Sequence, residues 1–232
     1  MCATCGCGQT EHGHGHTVTL EQDVLAKNDH LAGHNREWLA AHDVFTVNVM
    51  SSPGAGKTTL LERTIGEFDG PVAVVEGDQE TLLDAERIKA AGAPVIQINT
   101  GAGCHLDANM LAGALETLRP QRGSVLFVEN VGNLVCPALF DLGENVRAVI
   151  MSVTEGADKP RKYPHMFASS DLVLLNKIDL LPYVDFDVAA FLRDARTVNP
   201  RVQVLQVSAT RGDGVDAWYR WLSDSRRQPV PG

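Results

Sequence analysis

The chain has 232 residues, 44% of them hydrophobic, and a net charge of −9 at neutral pH. That length is enough for one well-buried α/β domain, and the acidic balance argues against nucleic acid or an anionic membrane as the main partner. No window approaches the about 20 apolar residues of a membrane span and no signal-peptide pattern is present, so a soluble cytoplasmic protein is expected. The cysteines, Cys2, Cys5, Cys7, Cys104 and Cys136, are odd in number and unevenly spaced. They make no disulfide framework, and metal or redox chemistry is the better reading.

In chain order, residues 1–18 are rich in Cys, Gly and His with almost nothing to bury, and are expected to be a flexible metal-binding tail. Cys2, Cys5 and Cys7 surround Gly6, which permits a tight wrap of three sulfurs around one ion. If Met1 is removed, the freed amine would be a fourth ligand in a soft site that nickel accepts. His12, His14 and His16 add imidazoles of the kind that sequester metal weakly. A helix is expected over 19–42, opened by Thr19 with Gln22 as a capping box and packed through Leu20, Val24, Leu31, Trp38 and Leu39.

From residue 43 to 232 apolar strands alternate with helical patterns. Strands are expected at 44–50, 72–76, 95–99, 124–128, 147–153, 172–175 and 202–207, and helices at about 57–67, 80–91, 107–118, 186–197 and 213–226. This alternation predicts an α/β fold, a mostly parallel sheet flanked by helices.

Between the first strand and helix lies Ser51-Ser52-Pro53-Gly54-Ala55-Gly56-Lys57-Thr58-Thr59, a phosphate-binding P-loop with Ser51 where the pattern usually has glycine. Gly54, Ala55 and Gly56 offer backbone N–H groups to phosphate at a helix N-terminus, Lys57 reaches the outer phosphates, and Thr58 holds Mg²⁺. Strand 72–76 runs into Glu76-Gly77-Asp78, where Asp78 is read both as a Mg²⁺-linked carboxylate and as an N-cap. Strand 124–128 runs into Glu129-Asn130-Val131-Gly132, where Glu129 orients Mg²⁺ ligands and Gly132 approaches the γ-phosphate. Lys57, Asp78 and Glu129 are therefore the catalytic candidates, with no certain general base. Asn176-Lys177-Ile178-Asp179 ends a later strand and suits guanine. Asp179 would accept from the ring N–H and exocyclic amine, Asn176 would contact the opposite edge, and Lys177 would lie along the ring face. Ser208 and Ala209 follow the last strand as the remaining base-binding element. GTP and GDP are the nucleotides implied.

Cys104 and His105 lie in the loop after strand 95–99, and Cys136 lies just beyond Glu129. As ligands they would offer Ni²⁺ or Zn²⁺ three of four positions, with a twofold dimer supplying the rest. As structural residues, Cys136 would be a small buried hydrophobe and His105 would sit near a helix cap. Both readings stand on these residues alone.

The CxxCGC terminus, Ser51–Thr59, Glu76–Gln79, Gly103-Cys104-His105, Glu129–Pro137 with Phe140–Glu144, Glu155–Pro160 and Asn176–Asp179 together resemble the hydrogenase nickel-incorporation GTPases, the HypB family of SIMIBI-type P-loop proteins. The resemblance spans nearly the whole chain. It implies slow GTP hydrolysis, a homodimer promoted by GTP and by metal, and nickel delivery to the NiFe-hydrogenase large subunit precursor with a HypA-type accessory protein. It also implies that Cys104, His105 and Cys136 are nickel or zinc ligands and that Cys2, Cys5 and Cys7 form a tight nickel site. Two alternatives remain. One is a GTPase serving another metalloenzyme such as urease, although that type carries Cys-Pro-His and here Cys136-Pro137 is followed by Ala138. The other is a nickel storage or sensing module whose nucleotide sets the oligomeric state.

Overall fold

Phe45–Ser51 (β1) is apolar and β-branched enough to be buried on both faces, and it forms the middle of the sheet. The computed structural model describes residues 14–78, 83–101 and 103–227. Among these, His14–Ala41 (α1) precedes β1, and Lys57–Glu67 (α2), Val72–Asp78 (β2), Leu83–Ala90 (α3), Val95–Asn99 (β3), Ala108–Leu118 (α4) and Val125–Gly132 (β4) follow it. Val146–Ser152 (β5), Lys159–Lys162 (α5), Pro164–Ala168 (α6), Leu172–Asn176 (β6), Val188–Val198 (α7), Gln203–Gln206 (β7) and Val215–Arg227 (α8) complete the order. The sheet has seven strands in the order β3-β2-β4-β1-β5-β6-β7, and every pairing is parallel. The expected α/β class is the class found.

Helices cover both faces. Leu60 and Leu61 of α2, Ile88 of α3 and Trp218 and Leu222 of α8 pack on Val47, Val49, Val74 and Phe127 on one side. On the other, Leu39 of α1 and Leu111 and Leu115 of α4 pack on Ala73, Val75, Leu126 and Val128, and Phe167 and Phe191 pack on Val149, Val173 and Leu175. Alternate residues of one strand therefore serve opposite cores, the period-2 geometry of a two-sided sheet.

Three details depart from the sequence expectation. First, α1 begins at His14 rather than Thr19, so Thr19 lies inside the helix and is not its cap; extending an established helix by a turn costs far less than nucleating one. Second, α1 packs through Asn28, Ala32, Asn35 and Leu39, while Val24 is half exposed and the side chain of Leu20 lies outside the described residues. The Asn28 and Asn35 amides grip backbone instead of apolar groups: Ala108 N donates to Asn28 Oδ1 at 2.9 Å, and Asn35 Nδ2 donates to Ala108 O and Leu142 O at 2.8 and 3.0 Å. Third, α5 and α6 fill 159–168, where Pro160 and Pro164 at the first helical turns mask any periodicity. The tail residues Cys2, Cys5, Cys7 and His12 lie outside the described residues.

Candidate functional site

β1 ends at the P-loop, flanked by β4 and β5, at the carboxyl edge of the sheet where doubly wound proteins bind ligands. Ser51 explains its departure from glycine: its hydroxyl accepts from Lys57 Nζ at 3.0 Å while donating to Ser52 O. Gly56 takes φ 99°, and a Cβ there would meet Asn176 Nδ2 at 2.5 Å. Gly132, paired with Ser51 across a β-bulge, lies against Pro53, where an added Cβ would approach within 3.1 Å. Little room is thus left for a side chain where β4 meets the phosphate loop.

The expected Mg²⁺ corner is more acidic than the motifs suggest. Thr58 Oγ1 donates to Glu129 Oε1 at 2.9 Å, and Lys57 Nζ stands 4.0 Å from the same oxygen. Glu76 is the register partner of Glu129 on the neighbouring strand, and both side chains are almost fully buried. Glu76 Oε2 and Glu129 Oε2 have no hydrogen-bond partner. Burial, then the neighbouring Glu129, pushes the Glu76 carboxyl up to about 8. Burial also raises Glu129, opposed by Lys57 and the Thr58 hydrogen bond. Two orphaned carboxylate oxygens beside a threonine hydroxyl are a donor set that fits a hard divalent cation such as Mg²⁺. Sequence reasoning chose Asp78 and Glu129 and missed Glu76; only the strand register brings Glu76 beside Glu129. Asp78 ends β2, and its carbonyl accepts from Thr100 N at 2.9 Å.

At the base pocket, Ser208 Oγ donates to Asp179 Oδ1 at 2.6 Å, fixing the carboxylate expected to read guanine. The Asn176 side chain is largely committed to bracing. Its Nδ2 donates to Ala55 O at 2.9 Å, and its Oδ1 accepts from Lys177 N and Ala209 N. One amide N–H is left for the base edge. Lys177, at φ 63°, extends its ammonium to Gly54 O at 2.7 Å, laying its stem beside the P-loop.

Cys104, His105 and Cys136 come together. Their ligand atoms all lie within 4.8 Å of one another, and each residue is partly exposed. Cys104 Sγ is 3.5 Å from His105 Nδ1, and the imidazole stacks on Phe140 with ring centres 3.8 Å apart. The adjacent Cys136 thiol, then burial, raises the Cys104 thiol, while burial lowers His105. Of the two sequence readings, the constellation fits the ligand reading: two thiols, which a bound ion would deprotonate, and an imidazole suit nickel and zinc alike.

This cluster is stitched to the nucleotide corner through β4 and β2. Glu129 and Asn130 are consecutive, so they point to opposite faces of the sheet. Asn130 Oδ1 accepts from Leu106 N, next to His105, and from Val131 N, while its Nδ2 donates to Asn48 Oδ1. Asn48 in turn donates to Glu144 Oε1. Asn133 donates to Cys104 O and accepts from Val135 N, joining the two cysteine loops. Leu106 fills the space over Gly77, where a Cβ would come within 2.8 Å of it. Nothing in the motifs marks Asn130 or Asn133 as more than loop residues.

Fold and site together define a P-loop nucleotide-binding protein with a thiol–imidazole cluster joined to its nucleotide corner. The chain belongs to the CobW/HypB/UreG family, whose nucleotide-binding domain matches residues 45–206. It is 51% identical to the hydrogenase maturation factor HypB of Escherichia coli (strain K12), over 94% of this chain and 80% of that protein. HypB from Helicobacter pylori, solved in complex with nickel, superposes with a TM-score of 0.86 at 36% identity, covering 89% of this chain and 98% of that one. The Signal Recognition Particle 54 kDa protein of Aeropyrum pernix K1, in complex with GDP, shares the fold alone, with a TM-score of 0.53 and 14% identity over 80% of this chain and 46% of that one. No described helix is long and apolar enough to cross a membrane.

Proposed function

We propose that the chain is a GTP-hydrolysing nickel metallochaperone that delivers nickel to the NiFe-hydrogenase large subunit precursor. The observation that carries this reading is the shared backbone of the two sites: Glu129 faces the Mg²⁺ corner while Asn130, the next residue, holds the loop of Cys104 and His105. Its relatives named hydrogenase maturation factor HypB, and the nickel-bound H. pylori structure, supply the cargo and the recipient class. Mg²⁺ with GTP would supply charge neutralisation at the outer phosphates. Thr58, Glu129, Glu76 and Asp78 would hold the cation, Lys57 would leave Ser51 for phosphate, and Asp179 with Ser208 would read guanine. Among the described residues no general base stands out here, in keeping with slow turnover.

The cluster supplies three ligands from one chain, and Val135 and Leu139, both half exposed, form an apolar rim around Cys136. That rim suits a second copy of the chain, which would complete the coordination in a GTP-promoted homodimer. A HypA-type accessory protein is the expected donor or acceptor of the metal, with Cys2, Cys5 and Cys7 as the capture site and zinc as the competing ion. A cytoplasmic location follows from the same reading.

The test is nickel affinity in GDP and in a nonhydrolysable GTP analogue. A difference of about 5- to 150-fold is expected, the usual range for linked sites, and equal affinities would sink the coupling. The difference should depend on Asn130. In Asn130→Ala, nickel binding persists through Cys104, His105 and Cys136, but the nucleotide-dependent ratio falls towards one. A ratio unchanged in the folded variant would mean that coupling runs elsewhere.

A further inference from the structure

The solvent face of α1 carries two histidines that neither the nucleotide corner nor the cysteine cluster uses. His30 and His34 are both exposed, on the side of the helix away from the buried Asn28, Ala32, Asn35 and Leu39. Their spacing of four residues sets them one turn apart on the same stripe. The ring centres are 4.5 Å apart with an interplanar angle of 63°. His42 on the same helix differs: its Nδ1 lies 2.7 Å from Trp38 O and its ring stacks on Trp38, so it is committed to local packing. Among the described residues, the ring contact of His30 and His34 is with each other.

We propose that His30 and His34 form a separate bis-imidazole site for a divalent late first-row transition ion such as nickel. Imidazole suits nickel, copper and zinc. A ring nitrogen lies about 1.2 Å from its ring centre and about 2.1 Å from a bound ion, so two imidazoles at right angles on one ion have centres about 4.7 Å apart. The observed 4.5 Å between ring centres is close to that value, so rotation of the two exposed side chains, with α1 undistorted, would bring a nitrogen of each ring onto one ion. A tetrahedral pair would need about 5.4 Å by the same geometry, so the spacing lies nearer to that of cis ligands at right angles. Among the described residues, no third Cys, His, Asp or Glu joins the pair, so water completes the shell. Such a site is weaker than the cysteine cluster and exchanges freely with solvent. It lies on the helix leading out of the Cys- and His-rich segment, and it does not depend on the hydrogenase reading.

The experiment adds nickel to the full-length protein beyond the amount that saturates its cysteine sites, and follows hydrogen exchange of the α1 backbone. One ion bridging the rings closes a loop over one helical turn and should slow exchange around residues 30–34 several-fold. His30→Ala and His34→Ala should each abolish the slowing completely, and the double variant should be no worse than either, because a chelate needs both rings. Neither side chain is buried, so the variants fold, and unchanged GDP binding verifies this. Two results would overturn the proposal. One is no slowing in the wild type. The other is that each single variant retains about half of it, which means two independent imidazoles.

Discussion

Gly56→Ala is expected to weaken GDP and GTP binding by at least about a hundredfold while leaving the sheet intact. Two costs add at this position. At φ 99° and ψ 28° an L side chain is strained, a penalty of about 1–2 kcal/mol. The new methyl would also lie 2.5 Å from Asn176 Nδ2, and relieving that clash breaks the buried Asn176–Ala55 bond, at about 1–3 kcal/mol. Moving Asn176 also frees Ala209 N from its acceptor, so the phosphate loop and the base pocket are disturbed together. Gly54→Ala is the informative comparison, since φ there is 74° and no protein atom lies within 4 Å of the added carbon. Its melting temperature should fall less than that of Gly56→Ala. Calorimetric titration with GDP checks the first statement, and affinity within about threefold of wild type would show that Asn176 does not brace this pocket.

In the absence of Mg²⁺ and nucleotide, the protein should lose stability as pH rises from about 5 to about 8, and Glu76→Gln should remove most of that loss. The sign follows from proton binding. The Glu76 carboxyl, ordinarily at 4.5, is held at about 8 in the folded chain by burial and by Glu129. Between those values the folded protein keeps a proton that the unfolded chain has released, so stability falls with rising pH. Glu129, also raised by burial, acts in the same direction. The expected difference is of the order of a few kcal/mol. Melting curves of both proteins at a series of pH values isolate Glu76 from other groups, because only their difference is read. Parallel curves would refute the assignment. Mg²⁺ with nucleotide should reverse the trend, since a cation favours the ionised pair.

The contiguous motifs were legible before any coordinates. A glycine loop between an apolar strand and a helix, Asn-Lys-x-Asp at the end of a buried strand, and strand–helix alternation are patterns written within a few residues. Each reflects a local requirement: positive φ at Gly56, a carboxylate expected to read guanine at Asp179, and apolar runs for strands buried on both faces, as in β1, β4 and β6. The resemblance to the HypB family rested on such segments, and family membership is shown. The strand limits moved by a few residues, most at β4, which continues through Glu129 to Gly132 because β1 and the P-loop still pair with it there.

Other features depend on parts of the chain that are distant in sequence. Glu76 becomes part of the Mg²⁺ corner only because β2 pairs with β4 in one register, and a shift by one residue would turn it to the opposite face. Asn176 is expected to contact the base with its remaining amide N–H, while the folded loops engage the rest of the amide with Ala55, Lys177 and Ala209. The nearness of Cys136 to Cys104 and His105 arises from loop geometry over about thirty residues, which periodicity does not encode. The same holds for α1, whose apolar residues suggested a greasy seam although buried asparagines hold it to the backbone of α4 and the 141–143 turn. The sequence alone determined the nucleotide chemistry and the candidate metal ligands, because each is a choice of residue type at a local backbone position. Tertiary structure decided which carboxylates share the Mg²⁺ corner and how the metal loops are tied to it, because those contacts depend on strand register and on buried polar groups finding partners across the fold.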